Sequence, residues 1–300
     1  MPSSADGTTK LGATGSVPLS GPAASDAAAS PGPSDIAARA FWAELRRTTQ
    51  ARIGLGRTGD ALPTADVLAL RAAHAAARDA VHNPLDVEAL AAQVKTLGLG
   101  DPVHVRSHAA DRSEYLRRPD LGRLPYQSEL PAGQGISALR HIDADIGVVL
   151  ADGLSPRALT DHGAPMLAAL FEALGDRLTF APPVIATQSR VALGDHIGHA
   201  LGVTTLLVLI GERPGLSVAD SLGIYLTHLP RPGRADSERN CISNIHPPEG
   251  LGYARAAQVA ATLIDGARRL GRSGVDLKDT SGDTALTSGE PVILEAAESA

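Results

Sequence analysis

Residues 204–210 read Thr-Thr-Leu-Leu-Val-Leu-Ile and run directly into Gly211-Glu212-Arg213-Pro214-Gly215-Leu216. An uncharged aliphatic run of this length, closed by Gly and Pro, reads as a strand buried on both faces of a parallel sheet. A buried strand that stops at Gly-Glu-Arg-Pro-Gly carries a charged pair to one edge of its sheet. In open α/β sheets that edge, outside the carboxyl ends of the strands, is where ligands bind.

Moving outward from this strand, the same unit recurs. Apolar runs at 146–150, 179–186 and 203–210 are strand candidates, and 223–229 (GIYLTHL) is a fourth. Helical periodicity fills 157–174, 191–201 and 253–270. Strand and helix in alternation predict the α/β class, with a parallel sheet and helices on both faces, over residues 101–276. Upstream, Ser34-Asp35 opens a helix marked by Ile36, Ala40, Phe41 and Leu45. Pro63-Thr64 starts a second helix, and 85–97 a third, so 35–100 reads as a small helical domain. Residues 1–34 consist mostly of Ala, Ser, Gly, Pro and Thr. They hold too little apolar surface to offset their ordering entropy and read as a disordered tail. The other reading is a segment that folds on a shell or partner, and the sequence leaves both open. Residues 277–300 are weakly patterned and read as a flexible tail.

Composition narrows the function. A chain of 300 residues with 43% hydrophobic content sustains a real core, yet only 3% is aromatic. The core is therefore aliphatic. A net charge of -6 argues against a general nucleic-acid or anionic-membrane binder. One cysteine excludes an intrachain disulfide and a cysteine-rich zinc site, which fits a cytoplasmic protein. No apolar run approaches the roughly 18 residues of a membrane span.

Several short motifs carry a chemical reading and a plainer one. Gly54-Leu55-Gly56-Arg57-Thr58-Gly59 has the letters of a dinucleotide fingerprint, but that motif needs a strand before it, and here a helical pattern precedes. A turn between helices is the expectation, and an NAD-binding oxidoreductase is kept as a rival. His141, Asp143 and Asp145, and His196 with His199, are incomplete as metal ligand sets, so no metal site is assigned. After the strand at 146–150, Ser155 is placed to cap a helix that begins at Pro156. Gln188-Ser189-Arg190-Val191 ends the next strand candidate. Arg190 could donate to a ligand there, and Val191 could pack on a flat apolar one. Glu212 and Arg213 lie at a third strand end of the same edge. Cys241, in Asn240-Cys241-Ile242-Ser243-Asn244-Ile245-His246, reads better as a packing cysteine than as a nucleophile.

Five of these stretches resemble a known family. ARIGLGRTGDALPT (51–64), YLRRPDLG (115–122), DGLS (152–155), IGERPGL (210–216) and CISNIH (241–246) occur in the order seen in the small subunit of ethanolamine ammonia-lyase. The resemblance spans most of the chain. It implies a Rossmann-like, flavodoxin-like domain at 101–276 that covers adenosylcobalamin from one side. It also implies a large-subunit partner that holds ethanolamine, in a hetero-oligomer. The reaction implied is radical conversion of ethanolamine to acetaldehyde and ammonia, with no catalytic residue on this chain. The family's cofactor contacts fall on Val191, Glu212 and Cys241, and Arg190 and Arg213 are neighbouring additions. Some cobalamin domains replace the cofactor's own base with the His of Asp-x-His-x-x-Gly. Here His199 and Gly202 match, but Ile197 stands at the Asp position, so the base-on cofactor is expected. A scaffold subunit that only stabilises or recruits a partner, in or outside a bacterial microcompartment, is the second rival.

Overall fold

The computed structural model describes residues 33–127 and 135–280. The tails assigned to 1–34 and 277–300 lie almost entirely outside these residues. The chain divides into two compact units at Gly54 and Leu55. In the first, helix α1 (Pro33–Leu45) is followed by a loop that folds back along it. The Arg46 guanidinium donates to the carbonyls of Ile53 and Gly54 at 3.2 and 2.8 Å. Gly54 has φ +59°, and a Cβ there would sit 2.2 Å from the Trp42 ring, so only glycine closes this loop. No strand precedes Gly54 among the described residues. The dinucleotide reading of 54–59 therefore lacks the element it requires.

The second unit contains α2 (Thr64–His82), α3 (Val87–Lys95), β1 (Val103–Arg106), α4 (Arg112–Arg117), β2 (Ile146–Ala151), α5 (Pro156–Leu174), β3 (Val184–Thr187), α6 (Leu193–Leu201), β4 (Thr205–Gly211), β5 (Leu222–His228), β6 (Asn240–Ile245) and α7 (Tyr253–Leu270). The strands form one six-stranded sheet in the order β1-β3-β2-β4-β5-β6. Every residue of β4 is buried. Leu207 and Leu209 enter the cluster shared with α5 and α7, while Leu206, Val208 and Ile210 enter the cluster shared with α6. The period of two thus divides one apolar run between two cores. Leu90 and Val94 of α3 join the first of these cores.

The expectation of a wholly parallel sheet is corrected here. β1, β3, β2 and β4 run parallel, but β5 pairs antiparallel with β4, and β6 antiparallel with β5. The reason is the length of the connection. Returning in parallel requires a crossover of a dozen or more residues, usually helical, and the link from Gly211 to Leu222 contains no helix. Residues 240–245, read as a polar segment, form the edge strand β6. β1 lies ahead of the strand candidates at 146–150, 179–186, 203–210 and 223–229 and was not among them. The strand expected at 179–186 shrinks to Val184–Thr187, because Pro182 and Pro183 cannot donate to a ladder.

A buried ion pair ties the antiparallel pair of strands to the parallel half. Arg239, at the entry to β6, donates to both Asp195 oxygens of α6 at 2.6 and 2.7 Å, to Thr227 Oγ1 of β5 and to the Arg234 carbonyl. The two side chains are 2% and 1% exposed. Removing one partner leaves the other charged and dry. Asp195→Ala is therefore expected to destabilise the chain by about 3–5 kcal/mol. Urea unfolding followed by circular dichroism measures this, and an unchanged midpoint would refute it.

Candidate functional site

The strand order sets the position of the site. From β2 the chain leaves through α5 toward β3, whereas from the adjacent β4 it leaves toward β5. Neighbouring strands whose connections diverge define the switch point of an open sheet. Here the gap between them is closed by backbone. The Leu154 N–H donates to the Gly211 carbonyl at 2.9 Å. A Cβ on Gly211 would lie 2.0 Å from the Ser155 carbonyl oxygen, and one on Gly153, at φ +54°, would lie 2.3 Å from that of Gly211. Ser155 caps α5 as its sequence implied, accepting from the Ala158 N–H at 3.2 Å and donating to the Ala219 carbonyl at 2.7 Å.

Next to this closed gap lies a cavity of about 300 Å³ bordered by Tyr115, Gly153, Leu154, Arg190, Val191, Gly211, Glu212, Arg213 and Tyr225, among others. Four of the five positions singled out from sequence, Arg190, Val191, Glu212 and Arg213, meet there. The fifth, Cys241, stands one strand further along. It is opposite Tyr225 in the β5–β6 pairing, and Tyr225 is opposite Val208 of β4. Cross-strand partners share a face. Val208 packs on α6, so Tyr225 and Cys241 lie on the α6 side of the sheet. α6 reaches β2 and β4. Over β5 and β6 the same face presents Tyr225, half-buried, and Cys241, exposed.

Each polar group is held in a specific way. Ser221 Oγ donates to Glu212 Oε2 at 2.5 Å, and the Asn244 N–H donates to the same oxygen at 3.3 Å. Both bonds fall on Oε2, which leaves Oε1 to accept from elsewhere. The Arg190 guanidinium lies over the Tyr115 ring, 4.6 Å from its centroid, and its backbone N–H donates to the Gly122 carbonyl at 2.9 Å. A Cβ on Gly122 would come within 2.9 Å of both Tyr115 and Arg190 side chains. The YLRRPDLG segment thus forms the seat of Arg190. Tyr115 is itself fully buried, with its hydroxyl donating to the Ser189 carbonyl at 2.9 Å. Asp152 organises the turn behind it, accepting from the Gln188 and Ser189 N–H groups at 2.8 and 2.9 Å, with Arg112 at 3.4 Å. Burial pushes the Asp152 carboxyl up from its ordinary range, and Arg112 opposes that shift. Sequence reasoning did not single out Tyr115, Tyr225 or Arg112. For Tyr225 a signal existed, since alternation along GIYLTHL puts it on the face away from Ile224 and Leu226.

Among the described residues no three His, Cys, Asp or Glu side chains converge as a metal site would require. His141 bonds Asp143 at 2.8 Å, while the Asp145 carboxylate is taken by Thr179 and Arg268.

A family model described as ethanolamine ammonia-lyase light chain (EutC) matches residues 39–278. The chain belongs to that family. An ethanolamine ammonia-lyase small subunit from Rhodococcus erythropolis is 65% identical over 255 residues, covering 85% of this chain and 96% of the relative. One from Ralstonia nicotianae is 48% identical over 252 residues, covering 83% and 92%. The stretch matched to the light-chain family contains every residue of the cavity and the face beside it. No helix among the described residues is long and apolar enough to cross a membrane.

Two outcomes are expected from this geometry. Gly211→Ala forces apart the loops after β2 and β4, at a strain of about 1–3 kcal/mol. It should lower the melting temperature by several degrees, a change that scanning calorimetry resolves. For Cys241, burial pushes the thiol pKa up, and Tyr225, its cross-strand neighbour, opposes that shift. Alkylation by iodoacetamide near pH 8 should therefore be slower than for a free thiol and should climb as pH rises past the usual thiol range. Tyr225→Phe should slow it further, and a faster rate in that variant would contradict the assignment.

Proposed function

We propose that this chain is the small subunit of an adenosylcobalamin-dependent ethanolamine ammonia-lyase. With a large subunit it converts ethanolamine to acetaldehyde and ammonia, and residues 101–276 cover one side of the cofactor. The observation that carries the reading is the convergence of Arg190, Val191, Glu212 and Arg213 on one cavity, with Tyr225 joining it to Cys241 on the adjacent sheet face.

The donor set fits the group. Cobalamin has a broad, weakly polar macrocycle rimmed by amides, and a nucleotide tail. Glu212 Oε1 can accept from an amide N–H or a ribose hydroxyl, held in place by the two bonds to Oε2. Val191 and Cys241 offer close, weakly polar contact. Gly215 allows the backbone to approach, while the space at Gly211 is taken by the Ser155 carbonyl. Arg190 and Arg213 supply charge. When bound, the cofactor supplies the radical chemistry. This chain binds, orients and keeps water from one side. None of its residues is assigned to the substrate, which we place with the large subunit.

The cofactor is proposed to keep its own base on cobalt. Ile197 is fully buried in the core beneath α6, and His199, exposed in the last turn, forms no ion pair with a carboxylate among the described residues. A ligating imidazole normally has such an orienting partner.

A scaffold subunit predicts that Glu212 does not matter to the cofactor. In the assembled complex, Glu212→Ala should raise the Kd for adenosylcobalamin by roughly 10- to 150-fold, in line with about 1.5–3 kcal/mol for a charge-assisted hydrogen bond. Assembly, followed by size-exclusion chromatography, should not change. An unaltered Kd would favour the scaffold reading.

A further inference from the structure

The cavity contains more positive charge than its own residues neutralise. Arg190 and Arg213 both border it. Asp152 is paired with Arg112, so Glu212, bonded at Oε2 by Ser221 and Asn244, is the one carboxylate bordering the cavity against these two arginines. Neither Arg190 nor Arg213 forms an ion pair among the described residues, and Arg190 Nε is buried with no hydrogen-bond partner. Leaving a buried guanidinium N–H unbonded costs free energy. Arg112, whose guanidinium lies 4.9 Å from the centroid of the same Tyr115 ring against 4.6 Å for Arg190, is matched by Asp152 and leaves Arg190 without a counter-charge of its own. All this occurs on a chain whose net charge is -6.

A guanidinium held over an aromatic ring, without a carboxylate partner, suits a planar or tetrahedral oxyanion. The macrocycle of cobalamin is rimmed by neutral amides, and its peripheral anion is the phosphodiester of the nucleotide tail. We propose that Arg190 is the anion anchor of the site and takes that phosphodiester, with Arg213 as the outer, solvent-facing charge. This assignment rests on the cobalamin reading above. It fixes the direction of the cofactor on this subunit, with the tail toward Tyr115 and Arg190 and the macrocycle toward Tyr225 and Cys241.

The test compares two corrinoids on the assembled complex of both subunits, using equilibrium dialysis read by corrin absorbance. Adenosylcobalamin carries the phosphodiester, and adenosylcobinamide lacks the nucleotide tail and its phosphate. Arg190→Met should raise the Kd for adenosylcobalamin roughly tenfold or more, with the Kd for adenosylcobinamide unchanged. The unchanged cobinamide affinity shows that the variant is folded and assembled. Arg190→Lys should recover part of the loss, and the rise of Kd with added KCl should be steeper for wild type than for Arg190→Met. Equal weakening toward both corrinoids, or none toward either, overturns the assignment. If the wild-type complex binds neither corrinoid, the cobalamin reading itself fails, an outcome distinct from binding without discrimination.

Discussion

Two glycines in backbone contact fix the geometry on which the site depends. Gly153 follows β2 and Gly211 ends the adjacent parallel strand β4, and each occupies a place where a methyl group would overlap the other segment. Their contact seals the switch point that open sheets usually leave as a binding crevice. The usable cavity is consequently displaced toward β3 and the turn carrying Arg190 and Val191. Glu212 and Arg213, one and two residues past the sealed contact, are aimed by it. A looser junction would let Glu212, now half-buried, drift into solvent, where with the exposed Arg213 it would be an ordinary surface pair.

The antiparallel end of the sheet gives this edge its second property. A parallel strand in place of β5 would need a crossover helix packed on one face. The short link from β4 instead leaves Tyr225 and Cys241 uncovered beside the cavity, while α7 fills the opposite face. Asp195 and Arg239 then hold β6 to α6, so the open face is bounded on one side by a rigid, buried contact. Charged groups set the orientation and flat, weakly polar groups supply area, which is the division of labour expected of a large amphipathic ligand's site.

The sequence was most legible where one rule acted alone. Residues 204–210 satisfy length, composition and burial together, and β4 follows them closely. Ser155 and Pro156 mark the start of α5 because capping is local. Strand direction was not legible, since GIYLTHL has the same pattern whichever way it pairs. β6 was missed because its bulged, half-exposed sequence dilutes the alternation, with Asn244 at φ +65°. The role of Tyr115 as a seat for Arg190 was beyond pattern reading, because the two residues meet only through the fold. The comparison with the light-chain family identifies the chain more directly than any of these elements, but it does not say which atoms are left without partners. That came from the geometry around Arg190.

The loop closed on Trp42 has a spectroscopic consequence. Trp42 is the sole tryptophan of the chain, and it belongs to the unit that ends at Gly54. Its emission therefore reports the local environment of α1 and its returning loop, and neither the sheet nor the cavity contains an indole. Unfolding curves recorded by intrinsic fluorescence and by far-ultraviolet dichroism will coincide only if the two units melt together. The chain thus carries its own probe of whether it unfolds in one step or two.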